Sequence, residues 1–275
     1  MTYAPAEVSV SRALPFAAIS GYRPLELDLH RPPARHPLPV VIYLHGGGWR
    51  LGSRELVSPA FRDWNPGLLT RVAAAGFVVA AADYRFSGEA RFPAQLEDVH
   101  RALDWVIANG AEHGADPARI LLWGDSAGGH LAALAAMGMP QRPELRGVVA
   151  WYPITDLLAI QADAEAVGGE PHDTADARET ALLGGRIPDL QDKAREASPV
   201  THVAAASAPF FLAHGTADLA SPYQQSVRLR DALLAEGKQA ALHTVEGAGH
   251  MWQGASDEQL HALLDATLTF LRRHS

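Results

Sequence analysis

The chain has 275 residues, of which 48% are hydrophobic and 20% charged, enough apolar material for the core of one α/β domain. Its 31 acidic and 23 basic side chains leave a formal charge of -8, which argues against a phosphate-backbone partner. The absence of cysteine excludes disulfides, thiolate metal sites and a cysteine nucleophile together.

The stretch MTYAPAEVSVSRALPF has no basic region followed by an apolar one, and no run approaches the roughly 20 apolar residues of a membrane-spanning helix. The expectation is a soluble, cytoplasmic protein without membrane or nucleic-acid partners. A homo-oligomeric state is left open.

In chain order, Leu25, Leu27 and Leu29 alternate with Glu26, Asp28 and His30, which predicts a half-exposed antiparallel edge strand. Short apolar runs follow at Val40–Leu44, Phe77–Ala82, Ile120–Trp123, Val148–Tyr152, Phe210–Ala213 and Ala241–Val245. Near-continuous apolar strands are expected where helices cover both faces of a parallel sheet. Between them, Leu96, Val99, Leu103 and Val106 recur at helical spacing within Ala94–Ile107, behind Pro93. Ala127–Met137 is an alanine-rich helix. Ser221-Pro222 reads as an N-cap and first-turn proline of a helix running to Ala235, and Asp257–Leu271 closes the chain. The alternation defines an α/β fold with a mostly parallel central sheet and helices on both faces. One stretch, about 157–198, exceeds the usual loop of roughly 2–6 residues, and reads as a small helical, cap-like insertion over the C-terminal sheet edge in an otherwise single domain. The plain alternative for it is a surface excursion.

Three motifs carry chemistry. Gly124-Asp125-Ser126-Ala127-Gly128 sits between a strand and a helix, the context of a nucleophile elbow, where a sharp turn leaves no room for a Cβ at either glycine. His45-Gly46-Gly47-Gly48-Trp49 follows the strand ending at Leu44. Backbone amides there can face an oxyanion, so Gly47, Gly48 and Ala127 are the expected donors, with His45 organising the loop. Downstream, Asp218 and His250 each leave a strand end, in the order Ser, Asp, His. A base must reach the nucleophile and be oriented by a carboxylate, which assigns Ser126, His250 and Asp218. Asp156 and Glu246 are rival acids. Among thirteen histidines, His130, His214, His243, His113, His172 and His274 lack the same context. No His-Glu-x-x-His occurs, so neither metal nor cofactor is expected. Trp49, Trp151, Tyr152, Met251 and Trp252, near strand ends and motifs, are candidates to line a substrate pocket, with plain packing as the alternative for each.

The chain resembles the hormone-sensitive-lipase-like carboxylesterases and, more closely, the bacterial acetyl-xylan and feruloyl esterases. The resemblance rests on HGGGW, DYR (Asp83–Arg85), FPAQLEDV (Phe92–Val99), GDSAGGHLAAL (Gly124–Leu134), ASPVTHV (Ala197–Val203), HGTAD (His214–Asp218) and EGAGH (Glu246–His250), in register from about Pro24 onward. It implies the α/β-hydrolase fold and a carboxylesterase acting on a small-molecule ester through the same triad and oxyanion donors. Leu219-Ala220-Ser221 departs from the family's acid loop, and little of a long N-terminal cap is present. Short-acyl esters are the expected substrates. An amidase of aryl-formamidase type is the alternative enzyme, and a non-catalytic ligand receptor the alternative outside catalysis.

Overall fold

A computed structural model describes residues 7–137 and 142–275. Its strands are β1 (Ser9–Ala17), β2 (Leu25–Arg31), β3 (Leu38–Leu44), β4 (Val78–Ala82), β5 (Ala115–Asp125), β6 (Leu145–Trp151), β7 (Phe210–Gly215) and β8 (Ala240–Val245). The helices are α1 (Leu68–Ala74), α2 (Ala94–Asn109), α3 (Ala127–Met137), α4 (Ile160–Val167), α5 (Arg178–Leu183), α6 (Gln191–Glu196), α7 (Gln224–Ala235) and α8 (Asp257–His274).

All eight strands form one sheet in the order β1-β2-β4-β3-β5-β6-β7-β8. The first two pairings, β1 with β2 and β2 with β4, are antiparallel, and the rest are parallel. The parallel strands bury side chains on both faces. In β3, Val40, Ile42 and Leu44 join one core with Val99 of α2, Leu131 of α3 and Leu229 of α7. Val41 and Tyr43 point the other way, to Leu68 and Val72 of α1 and Leu263 of α8. That two-residue alternation into two apolar layers explains the unbroken hydrophobic runs.

The leucine-alternating segment is an antiparallel strand, but not an edge strand. β1, which lacks a clear apolar pattern, lies outside it. The intervening polar residue Asp28 is buried, because its carboxylate accepts from the Ala13 amide at 2.8 Å, Arg54 Nε at 2.8 Å and Arg12 at 3.1 Å. Burial disfavours the Asp28 anion, yet the Ala13 hydrogen bond and the Arg54 charge prevail and hold its carboxyl below the ordinary range. Ser221 is likewise not a helix cap. Its hydroxyl donates to the Pro153 carbonyl, and α7 begins only at Gln224. α8 does carry a full capping box, with Ser256 and Gln259 satisfying each other's backbone amides. The 157–198 stretch holds three short helices, α4, α5 and α6, whose Ile160, Leu182 and Ala194 pack onto the core on the α2/α3 side.

Arg54 also bonds Asp83 at 2.6 Å and Glu26 at 3.0 Å, so one guanidinium bridges two carboxylates that are nearly sealed from water, with Arg12 sharing the charge of Asp28. Removing one partner of a buried pair leaves an uncompensated charge. Arg54→Met is expected to destabilise the fold by about 3 kcal/mol, read from the urea midpoint at constant m-value.

Candidate active site

Ser126 sits between the last residue of β5 and the first of α3, with φ of 52°, in the left-handed region that non-glycine residues rarely occupy. Close packing enforces this turn. A Cβ on Gly124 would lie 2.3 Å from the Gly128 carbonyl carbon, and one on Gly128 would lie 2.0 Å from the Leu44 oxygen. The Ser126 amide donates to the Trp151 carbonyl at 2.8 Å, fixing the elbow to the end of β6.

Two other loops meet the elbow. A Cβ on Gly215 would lie 2.2 Å from the Ala248 oxygen, and the Ala217 amide donates to that same oxygen at 3.0 Å. The acid loop after β7 and the histidine loop after β8 are thereby pressed together. His250 Nδ1 lies 2.7 Å from Asp218 Oδ2, and its Nε2 lies 3.1 Å from Ser126 Oγ. The Asp218 carboxylate can only accept, so Nδ1 carries the proton and Nε2 is the acceptor facing the serine. Asp218 is buried, and its Oδ1 accepts from the amides of Ala220 at 2.9 Å and Ser221 at 2.7 Å. Burial alone would raise its pKa. Hydrogen bonds from His214 and His250 outweigh burial and drive it well below the ordinary carboxylate range.

Gly47 and Gly48 have φ of 116° and 60°, and a Cβ on Gly47 would fall 2.1 Å from the Leu51 oxygen. Among the described residues, the amides of Gly47, Gly48 and Ala127 donate to no protein acceptor. Gly47, Gly48, Ser126 and His250 line one cavity of about 810 Å³. Ala127 follows the serine at the positive end of α3. His45 stacks on Tyr84 and places Nδ1 2.6 Å from the Gly46 oxygen, and its burial lowers the imidazole to about 4, so it stays neutral.

The five bulky pocket candidates separate. Met251 is 43% exposed and lines the cavity beside His250. Trp49, Trp151, Tyr152 and Trp252 are buried and do not line it. Trp49 Nε1 donates to His130 Nδ1 at 3.2 Å, and His130 Nε2 donates to the Ala197 carbonyl at 2.7 Å. Trp151 donates to Thr267, and Trp252 packs against both Trp151 and Tyr152. The apolar part of the cavity wall comes instead from Leu51, Leu56, Val57, Phe61, Leu68 and Leu69, in and around loops that carry no motif.

Sequence reasoning also passed over Asp125. Its buried carboxylate accepts from Tyr43 at 2.7 Å, Tyr152 at 3.0 Å and the Gly46 amide at 3.1 Å, joining the elbow to the glycine loop. Desolvation raises its pKa, against the pull of both tyrosines. The rival acids have other duties. Asp156 caps the amides of Leu158 and Ala159, and Glu246 accepts from Thr216. Among the described residues, no three His, Asp or Glu side chains are grouped as metal ligands.

This sheet order, the flanking helices and the serine elbow define an α/β-hydrolase fold. Est2, an esterase from the planctomycete Thermogutta terrifontis, superposes with a TM-score of 0.71 at 26% identity, over 98% of this chain and 92% of that one. The chain belongs to the BD-FAE family, whose model matches residues 27–233. Carboxylesterase NlhH of Mycobacterium tuberculosis is 38% identical over 49% of this chain and 41% of its own length. Esterase LipQ of the same organism is 32% identical over 89% of this chain and 58% of its own. The chain thus spans about half the length of the curated relatives it matches.

The depressed Asp218 pKa contributes stability that is complete above its ordinary value of 3.8 and is lost as pH falls below it. Asp218→Asn should flatten the acid limb of a stability–pH curve below about pH 4. If the carboxylate orients His250, the same substitution should also lower kcat by about 10⁴-fold with the fold retained, as circular dichroism would check.

Proposed function

We propose that this chain is a serine carboxylic-ester hydrolase in which Ser126 is the nucleophile, His250 the general base and acid, and Asp218 the residue orienting the imidazole. The observation that carries this reading is the continuous relay from Asp218 through His250 to Ser126, at 2.7 and 3.1 Å, beside three amides that have no protein partner among the described residues. As Ser126 Oγ attacks the ester carbonyl, His250 Nε2 takes its proton, and the carbonyl oxygen becomes an anion facing the amides of Gly47, Gly48 and Ala127. His250 then protonates the departing alcohol. Water repeats the sequence on the acyl-serine and releases the acid. Each oxyanion donor is worth about 3 kcal/mol of transition-state stabilisation.

Support for the ester class comes from the named activities of NlhH, LipQ and Est2. Est2 is also described as phosphonylated by sarin and with propionate bound, which favours a serine mechanism and a short acyl group here. The reading includes a small-molecule ester as the partner, no nucleic acid, a cytoplasmic location, and one domain with 157–198 as its small cap-like insertion. Among the described residues, no helix is long and apolar enough to cross a membrane.

Ser126→Ala is expected to lower hydrolysis of p-nitrophenyl butyrate by at least about 10⁴-fold and to abolish labelling by a fluorophosphonate, with thermal stability unchanged. Retention of turnover would sink the assignment. Parallel assays on acetyl through decanoyl esters and on N-formylkynurenine test the remainder. Preference for long acyl chains would overturn the short-acyl assignment, and faster turnover of the amide would move the chain to the amidases.

A further inference from the structure

Arg178, at the start of α5, belongs to none of the motifs, yet its side chain reaches across the site. Its Cδ covers the glycine loop so closely that a Cβ on Gly48 would lie 3.2 Å from it. Its Nε donates to Glu179 Oε1 at 3.1 Å, and its Nη2 donates to the Ala220 carbonyl and lies 3.5 Å from the exposed Glu170 carboxylate. The side chain is 21% exposed and lines the same cavity as Ser126 and His250.

The guanidinium has a firm anchor. Glu179 is buried, and its Oε1 also meets His172 Nδ1 at 3.0 Å. Desolvation disfavours the Glu179 anion, but the His172 hydrogen bond and the Arg178 charge lower its pKa, so the carboxylate stays charged opposite the guanidinium. The residue before α5 is gripped from the other direction, where Arg50, two residues beyond Gly48, donates to the Ala177 carbonyl at 2.7 Å.

The Ala220 carbonyl is an informative partner. It belongs to the same peptide group as the Ser221 amide, which donates to Asp218 Oδ1 at 2.7 Å. A cation on the oxygen of a peptide polarises its N–H, strengthening the bond that holds the acid in place. One side chain therefore rests against an oxyanion-loop glycine at its shaft and acts on the acid's support at its tip.

We propose that Arg178 is a positioning residue that sets the Gly47–Gly48 amides and the Asp218–His250 pair at their working separation. The proposal rests on the serine-hydrolase reading above. Because the alignment matters only as charge develops on the carbonyl oxygen, its loss falls on turnover rather than on substrate binding.

In Arg178→Ala, kcat for p-nitrophenyl butyrate is expected to fall about 10- to 100-fold, less than outright deletion of an oxyanion donor, with KM within about threefold of the unsubstituted chain. Millimolar ethylguanidinium, filling the vacated space, should restore part of that loss and leave the unsubstituted chain unaffected. Arg178→Lys, with one nitrogen in place of the guanidinium that meets Glu179, Ala220 and Glu170, should fall between. A kcat for Arg178→Ala within about twofold of the unsubstituted chain, or a fall that ethylguanidinium does not relieve, overturns the proposal alone. Absence of Ser126-dependent hydrolysis in the unsubstituted chain overturns the underlying reading and this proposal with it.

Discussion

The contact between the first turn of α3 and the end of β3 is the constraint on which the site depends. Gly128 packs where any side-chain carbon would overlap the Leu44 carbonyl, so the serine turn and the glycine loop share one narrow space. That closeness forces Ser126 into a backbone conformation costing about 1–3 kcal/mol. It also sets the start of α3 directly against the carbonyls of Leu44 and His45, where the glycine loop begins. The strain at Ser126 and the closeness of the two loops are two results of the same packing.

Strain of this kind persists only where the surroundings over-determine it. Six non-glycine residues among those described have positive φ, and five of them, Trp49, Ser126, Tyr152, Met251 and Trp252, stand in the loops that build the site. Three of these five are buried aromatics. Their rings lock against neighbours: Trp49 on His130, Tyr152 on His250 and Trp252, and Trp252 on Trp151. Large buried surface at these positions offsets the backbone cost and keeps the loops from relaxing. The polar side chains behind them act similarly. Asp125 gathers two tyrosine hydroxyls and a loop amide around one carboxylate, so the floor beneath the serine has little freedom to shift.

The parts of the site that were legible in the sequence are those where backbone geometry restricts residue choice. The elbow glycines, the glycine loop and the Ser, Asp, His order have such restrictions, and each sits at the end of an apolar strand that announces its position. The fold was readable because parallel strands buried on both faces leave unbroken apolar runs. β1 was not readable, since an outermost strand with mostly exposed residues has no periodic demand to meet. Asp28 looked like a solvent-facing position because alternation reports polarity rather than exposure, and a buried carboxylate with three donors satisfies the same pattern. The four buried aromatics near the motifs resembled pocket walls for a related reason. Proximity along the chain does not say on which side of the backbone a ring lies. The cavity wall escaped notice because Leu51, Leu56 and Val57 come from irregular loops, where apolar residues carry no period.

The His130 ring has both nitrogens committed in opposite senses, accepting from Trp49 and donating to Ala197. Burial lowers this imidazole to about 4, so the polarity of that two-ended link is fixed over the whole neutral range. A replacement at this position would need an acceptor at one end and a donor at the other, separated by the width of an aromatic ring. Carboxamides offer both functions from a single carbon, and alcohols from a single oxygen. The helix behind the serine is thus tied to two distant loops by a part with no close substitute among the twenty side chains, which makes it a place where sequence drift should be unusually slow.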